Sequence, residues 1–429
     1  MYSFFSKGTI LGDYFWGLGY PFFGCLFKFF VGDTSLSLQL VSMISGLLSC
    51  IFIYKIIELI YSEQPKVLLI FSFFAISPIV ITHSFLVMSD MLAVAFICSA
   101  IFYFINFLIH SKSNHFIIGV FLAVLAFHTR YASLMTLVIL LIVVLIKIIK
   151  EKRYSLILVS IILFLVISLP HFLIRSNGSL NFLSHQLLTG WNILNLFRQN
   201  FLTEDGVSNH KVINLIFCFY SFFHPQFFNF GLIALIIGLI YKFKFLVNNR
   251  FQNILLSSIV FYALFVGGIP FQHKRLLLTT MPHLIIVFYP FLNRILHIKR
   301  IRFYSLTFVL VVQVLFIFYY GKVYYDRNKL EQLISNDLKV YSDETVYIFE
   351  MDLALKARDI KLDYQNIWYK EYSDFKNGAL VLVNAANLEK QWVGKNPFIN
   401  WNKLKSKCKL KELKTYSNGW SLYQIHQNN

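Results

Sequence analysis

Long apolar runs, separated by short polar segments, recur along the chain from about residue 35 to residue 322. A helix that crosses a bilayer needs roughly 20 apolar residues, and fewer where it is buried in a bundle. Before these runs, the apolar segment 20–31 is too short to span and carries Lys28, which indicates an interfacial helix. The pattern predicts ten spans: 35–60, 67–82, 91–109, 116–129, 131–149, 155–173, 226–244, 253–270, 275–292 and 304–322.

The pattern changes after residue 325, where 13 of the chain's 21 acidic residues lie. Short apolar runs, or apolar and polar residues that alternate, predict strands, and amphipathic stretches predict helices. The predicted strands are 345–350, 379–383 and 420–425, and the predicted helices are 326–336 and 352–359. The predicted fold class is mainly α, a polytopic transmembrane helix bundle with a small C-terminal extracytoplasmic α/β domain.

Three domains follow from these patterns. Residues 1–34 form an outer-face loop with the interfacial helix, residues 35–325 the transmembrane domain, and residues 326–429 the soluble domain. The long segment 174–225 joins two predicted spans and contains an aromatic run, 217–223, which fits either a half-span or a surface helix. Long loops of this kind often carry function.

Composition supports an integral membrane protein, with 57% hydrophobic and 14% charged residues and a mean hydropathy of +0.62. The net charge is +18, and residues 326–429 hold 16 basic and 13 acidic residues, which leaves +15 in residues 1–325. Most of those basic residues lie in short loops, which argues for membrane topology and against a nucleic-acid partner. The five cysteines form no CxxC pair, so neither a disulfide framework nor a zinc site is indicated.

Orientation follows from three basic clusters at 147–153, 242–250 and 294–302, which fall on one side if the ten spans alternate. Cytoplasmic loops carry the excess of Lys and Arg, so this side is predicted to be the cytoplasm of an inner or plasma membrane. The N-terminus is then outside, with no preceding span to take it there. We expect a missing N-terminal helix, and the alternative is that residues 1–34 cross without help.

Ionisable side chains within membrane spans are rare and usually functional. On the predicted outer face, an unusual set of acids and bases collects near the ends of the spans. Asp90 is predicted to act as a general base or as a charge partner for a cation, and the alternative is a helix N-cap. The other outer-face candidates are the acids Asp13 and Asp33 and the bases His83, Arg130, His273, Lys274 and Arg275.

Arg130 and the segment 273–275 are predicted to bind the phosphate of a lipid. The planar fork of an arginine matches phosphate oxygens, and developing phosphate charge needs fixed cations. Anchoring to lipid headgroups or the membrane interface remains the alternative for both. No metal triad can be built from sequence spacing.

Four groups of residues follow one another in a distinctive order: Gly19-Tyr20-Pro21, Ser89-Asp90 after a span that contains Pro78, Thr129-Arg130 between two spans, and His273-Lys274-Arg275 before Pro282. This order resembles the multispan GT-C glycosyltransferases, especially the protein-O-mannosyltransferase and aminoarabinose-transferase-like group. The basic segment is also similar to the His-Lys-Glu-x-Arg-Phe motif of glycolipid-anchor mannosyltransferases, without its Glu and Phe. The resemblance covers roughly residues 8–325.

The resemblance implies an inverting transfer of a sugar from a polyprenyl phosphate to a glycan, lipid or protein acceptor at the outer face. A first-loop carboxylate deprotonates the acceptor hydroxyl in such enzymes, and a second acid matches Asp90. Asp13 is the one acid before Gly19-Tyr20-Pro21, whereas the family acid lies further upstream, so a truncated or inactive relative is the alternative. Some members bind a divalent cation and others do not. An O-antigen-type polymerase or ligase, and a transporter or scaffold without chemistry, remain rival functions.

Overall fold

A computed structural model of the protein describes residues 17–174, 190–203, 206–220, 223–227, 249–296 and 299–427. The chain divides into two units: Met1–Phe197 with Val212–Tyr320, and Arg198–Lys211 with Gly321–Asn429. We refer to them as the helical unit and the sheet unit. Two predictions, the catalytic acid Asp13 and the span 226–244, lie outside the described residues apart from positions 226 and 227.

The helical unit is built almost entirely from apolar helices. A long apolar segment in a membrane must pair its own backbone N–H and C=O groups, and an α-helix does so. The 67–70 helix continues as a π-helical turn, Phe71–Ala75. The helices are α1 Gly19–Val31, α2 Thr34–Tyr61, α3 Val67–Ile70, α4 Pro78–Phe85, α5 Asp90–His110, α6 Ser113–Thr129, α7 Ser133–Lys150, α8 Tyr154–Ile174, α9 Asn214–Tyr220, α10 Arg250–Gly267, α11 Met281–Leu296 and α12 Lys299–Leu338.

Seven helices within the described residues are long and apolar enough to cross a membrane, and the bent pair Val67–Ala75 and Pro78–Phe85 makes up to eight. The protein is therefore a multi-pass integral membrane protein. The predicted span 116–129 corresponds to α6, which is apolar but has 17 residues, and the interfacial prediction 20–31 corresponds to α1. The aromatic run at 217–223 begins within the short helix α9.

The bent pair has a local cause in the sequence. Pro78 lacks a backbone N–H and restricts the residue before it to extended conformations. Ser77 accordingly has φ −64° and ψ 138°, and α4 starts with Pro78 in its first turn. The two helices meet at 72°. The predicted span 67–82 is therefore bent at Pro78 rather than straight.

Helix α5 is the buried centre of the helical unit. Most of its apolar side chains are buried, as expected of a helix enclosed by others, and Ile97, Ile101 and Phe104 are fully buried. Gly119 of α6 approaches closely, since a Cβ there would lie 2.8 Å from the Phe104 ring. The N-terminal end of this rigid helix carries Asp90.

The sheet unit contains a short antiparallel hairpin, β1 Asn200–Thr203 with β2 Gly206–Asn209, and a five-stranded sheet. The sheet order is β4-β3-β5-β7-β6, with β3, β4 and β5 parallel and β7 and β6 antiparallel. Its strands are β3 Thr345–Ile348, β4 Asp363–Asn366, β5 Leu380–Asn384, β6 Cys408–Thr415 and β7 Trp420–Gln427, and its further helices are α13 Asp352–Lys356, α14 Ala385–Gln391 and α15 Asn396–Lys407.

Each face of this sheet has its own hydrophobic core, because successive side chains of a buried strand point to opposite faces. Val346 and Ile348 pack with Leu355 of α13 on one face. Tyr347 and Val381 lie on the other face, in the core that includes α14 and α15. The predicted strands 345–350, 379–383 and 420–425 and helix 352–359 are present with ends shifted by a few residues.

Candidate active site

Asp90 is the most strongly constrained polar side chain of the helical unit. It is the first residue of α5 and its side chain has 0% exposure. Oδ1 is ion-paired with Nη1 of Arg130, and Oδ2 accepts a hydrogen bond from Nε of Arg275 at 2.7 Å. A carboxylate is buried at low cost only when it is paired and hydrogen-bonded in this way. Asp90 therefore acts as a charge partner for two cations.

The alternative prediction of Asp90 as an N-cap is wrong in detail. Ser89 occupies the N-cap position of α5, and no side chain caps the helix there. The Asp90 side chain is used by the two arginines instead. Its carboxylate still lies in the first turn, where the positive end of the helix dipole favours a negative charge.

Arg130 reaches Asp90 because α6 ends directly before it. The backbone N–H of Arg130 donates to Ala126 O at 2.9 Å, and the residue itself is extended at φ −157° and ψ 112°. Its side chain is only 13% exposed, and Nη1 also lies 3.4 Å from Arg275 O. This position is inside the protein, so the alternative of headgroup anchoring does not describe Arg130.

Two glycines explain how the turn after α6 is held in place. A Cβ on Gly17 would collide with His128 O, and a Cβ on Gly19 would lie 3.0 Å from the backbone N and Cα of Thr129. The chain entering α1 therefore packs directly on the backbone next to Arg130. This close approach gives a physical reason for the first glycine of Gly19-Tyr20-Pro21.

The segment 273–280 supplies the second arginine. Lys274–Thr280 forms a 3₁₀ helix, and Nδ1 of His273 accepts from the N–H of Arg275 at 3.1 Å. The Tyr262 hydroxyl donates to Leu276 O at 2.7 Å and fixes the same turn from α10. These bonds orient Arg275 toward Asp90.

Lys274 points to a different partner from Arg275. Its Nζ lies 2.6 Å from Nε2 of His224, whose ring also packs against Tyr220 and Tyr320. Burial, with the nearby Lys274 charge as a second cause, lowers the pKa of His224 to about 4. Nothing in the sequence singles out His224 beyond its place at the end of an aromatic run.

Among the predicted site residues, the structure brings Asp90, Arg130 and Arg275 into one ion cluster, with His273 and Lys274 adjacent in the chain. We call Asp90, Arg130 and Arg275 the Asp–Arg cluster. His83, in α4, is buried and its Nδ1 lies 2.8 Å from Ile79 O. Within the part of the chain that the structure describes, no group of three or more His, Cys, Asp or Glu side chains could hold a metal ion.

Two crystal structures of ArnT from Cupriavidus metallidurans are similar to the chain, one bound to undecaprenyl phosphate with a TM-score of 0.59 and one in the apo state with a TM-score of 0.62. Each match covers 98% of this chain and 91% of that chain at 9% identity, which establishes the fold.

A family model described as Dolichyl-phosphate-mannose-protein mannosyltransferase matches residues 18–173, which is less than half of the chain. This match includes Asp90 and Arg130 and ends before Arg275. None of the curated proteins compared with the chain matches it. The family match and the fold confirm the predicted resemblance to the GT-C superfamily.

Proposed function

We propose that the protein is a glycosyltransferase that moves a sugar from a polyprenyl-phosphate donor to an acceptor at the outer face of the membrane. The observation that carries this proposal is the Asp–Arg cluster, in which one buried carboxylate orients two guanidinium groups at the end of a buried helix. The similarity to ArnT bound to undecaprenyl phosphate and the family match support it.

The charges of the cluster suit a phosphate. Asp90 neutralises one of the two arginines, so the cluster keeps one net positive charge, and Lys274 adds another nearby. Sugar transfer breaks the bond between the anomeric carbon and a phosphate oxygen, so negative charge grows on the leaving phosphate. Fixed cations stabilise that growing charge more than the charge of the bound donor, which is the requirement for catalysis.

Asp90 then has a positioning role, because both of its oxygens are engaged by arginines. A free base is still needed to accept the proton of the acceptor hydroxyl while the anomeric centre inverts. We assign that role to Asp13, the other predicted catalytic acid. His273 supports the arrangement by accepting from the backbone of Arg275.

We place the cluster and residues 326–429 on the extracytoplasmic side of an inner or plasma membrane, on the strength of the three basic clusters, which the sequence predicts to be cytoplasmic. The acceptor is a glycan, a lipid or a protein, and membrane lipids surround the bundle. A reporter fused after residue 429 tests this orientation. Reporter activity confined to the cytoplasm would contradict it.

The proposed activity is tested with donors that carry radiolabelled mannose or aminoarabinose on undecaprenyl phosphate. Loss of one hydrogen bond between charged groups costs about 1.5–3 kcal/mol, so Arg275→Ala should slow release of label from the lipid by about 10- to 150-fold. Arg250→Ala is the matched control, since Arg250 is exposed at the opposite end of α10 from the contact with Leu276. Equal release in wild type and Arg275→Ala, or none in wild type from either donor, would count against the proposal.

A further inference from the structure

The sheet unit contains a topological switch point of the kind at which open α/β sheets bind ligands. Such sheets bind beyond the carboxyl ends of parallel strands, where connections from two neighbouring strands leave in opposite directions. In the sheet order β4-β3-β5-β7-β6, the chain runs from β3 to its neighbour β4 on one side. From β5 it runs to β6, on the opposite side. The helices that follow them, α13 and α14, pack in the cores of opposite faces. The switch point therefore lies between the ends of β3 and β5.

Polar groups from both connections meet at this switch point. Glu350 follows β3, and Asn387 lies in α14 after β5. Nδ2 of Asn387 donates to Oε2 of Glu350 at 3.4 Å, which is the one hydrogen bond to this carboxylate within the described residues. A contact of this length leaves room for a closer partner. Nη2 of Arg327 donates to Glu350 O at 3.1 Å and closes one side.

The backbone at Glu350 is unusual for a glutamate. Its φ is +64°, in the left-handed region that costs an L-residue free energy. The other described non-glycine residues of the sheet unit with positive φ are Asp343, Asp359 and Asn418, whose short side chains tolerate it. Strain of this kind concentrates at functional positions.

Aromatic rings lie near the same strand ends. The register pairs Ile348 with Asn366, so Trp368 stands beyond β4 as Glu350 stands beyond β3. Trp368 is half-buried and stacks on Phe349 with ring centroids 6.0 Å apart. Trp392 lies edge-on to Trp368 at 4.7 Å, and its buried Nε1 has no acceptor among the residues that the structure describes. A buried N–H donor without an acceptor is rare, so an acceptor for this indole N–H is expected.

We propose that this switch point, with Glu350, Asn387 and Trp368 beside it, is a binding site for a neutral saccharide. A carboxylate and an amide suit sugar hydroxyls, which both donate and accept, and aromatic rings suit the apolar faces of a pyranose. The Glu350 charge disfavours phosphate-bearing ligands, and a single carboxylate beside Arg327 does not suit a metal ion. This site goes beyond the proposed sugar transfer and does not depend on it.

The test uses the full chain in lipid nanodiscs without any polyprenyl phosphate. Mannotriose, chitotriose and maltotriose are titrated separately and binding is measured by saturation-transfer NMR. We expect at least one trisaccharide to bind, and Glu350→Gln to weaken it about tenfold, the effect of one hydrogen bond to a charged group. Glu389→Gln, an exposed glutamate of α14, is the matched control and should bind as wild type does.

Two further variants keep the outcomes separate. Asn387→Ala should weaken the same trisaccharide, and Arg275→Ala should not, because the Asp–Arg cluster belongs to the helical unit. Thermal melting of each variant shows that it is folded. Binding of none of the three sugars to wild type, equal affinity in Glu350→Gln and wild type, or loss of binding in Arg275→Ala would each overturn the proposal.

Discussion

Removing the charge of Asp90 tests how strongly the Asp–Arg cluster is coupled. Nε of Arg275 lies 2.7 Å from Oδ2 of Asp90, and at an effective dielectric constant of about 20 this separation corresponds to about 6 kcal/mol. Solvent screens the pair because about a third of the Arg275 side chain is exposed. We therefore expect an interaction free energy of about 2–4 kcal/mol, within the range of measured close charge pairs.

A double-mutant cycle isolates this free energy. Asp90→Asn, Arg275→Gln and the double variant are unfolded with denaturant in detergent micelles, and the loss of helix is followed by circular dichroism. The matched control is the pair of Glu389 and Lys405, whose side chains are 54% and 42% exposed at an N–O distance of 3.2 Å. Exposed pairs contribute about 1 kcal/mol or less. A coupling for Asp90 and Arg275 no larger than that of the control pair would refute the reasoning.

Three further predictions follow from single positions. Gly19→Ala should slow sugar transfer about tenfold, because the added methyl group displaces Thr129 next to Arg130. In the control Gly321→Ala the methyl group meets nothing within 4 Å, so the rate should stay that of wild type. Equal rates in the two variants would contradict this prediction. Lys274→Ala should raise KM for the lipid donor more than it lowers kcat, and an unchanged KM would argue against phosphate contact. Partial burial raises the pKa of the Glu350 carboxyl, so the folded state loses stability as pH rises through that raised pKa and the carboxyl ionises. Glu350→Gln removes this ionisation and should raise Tm at about pH 7 but not at about pH 4. An unchanged Tm at the higher pH would contradict the prediction.

The sequence pattern was sufficient where a run of apolar residues is continuous. The apolar runs behind α2, α5 and α7 predicted helices whose ends agree within a few residues, because each helix satisfies its own backbone. Strands β3 and β5 were predicted from their continuous apolar residues, since all four residues of Thr345–Ile348 and the first four of Leu380–Asn384 are buried.

Two strands with largely polar sequences were not predicted. Strand β6 reads Cys-Lys-Leu-Lys-Glu-Leu-Lys-Thr, and a register shift between Glu412 and Lys414 breaks its alternation. Strand β4 reads Asp-Tyr-Gln-Asn, which has little β propensity of its own. Both strands depend on pairing with a neighbour that local sequence does not specify. The grouping of Arg198–Lys211 with the sheet unit is likewise a tertiary feature.

The site shows the same division. The residue types and the helix ends were available from the sequence, so Asp90, Arg130 and Arg275 were all candidates. The pairing of these side chains could not be predicted, because the partners are far apart in the chain. Asp90 is 40 residues from Arg130, and Arg130 is 145 residues from Arg275. The partner of Lys274, His224, was missed because a single histidine in an aromatic segment carries no periodic signal.

The most direct test of the Asp–Arg cluster is the affinity of the purified protein for undecaprenyl phosphate, measured by equilibrium binding. Removal of one charge-assisted contact should raise Kd by about tenfold or more in Arg130→Ala, and Arg250→Ala should bind as wild type does. Wild-type affinity in Arg130→Ala, or the same loss in Arg250→Ala, would contradict a phosphate site at the cluster.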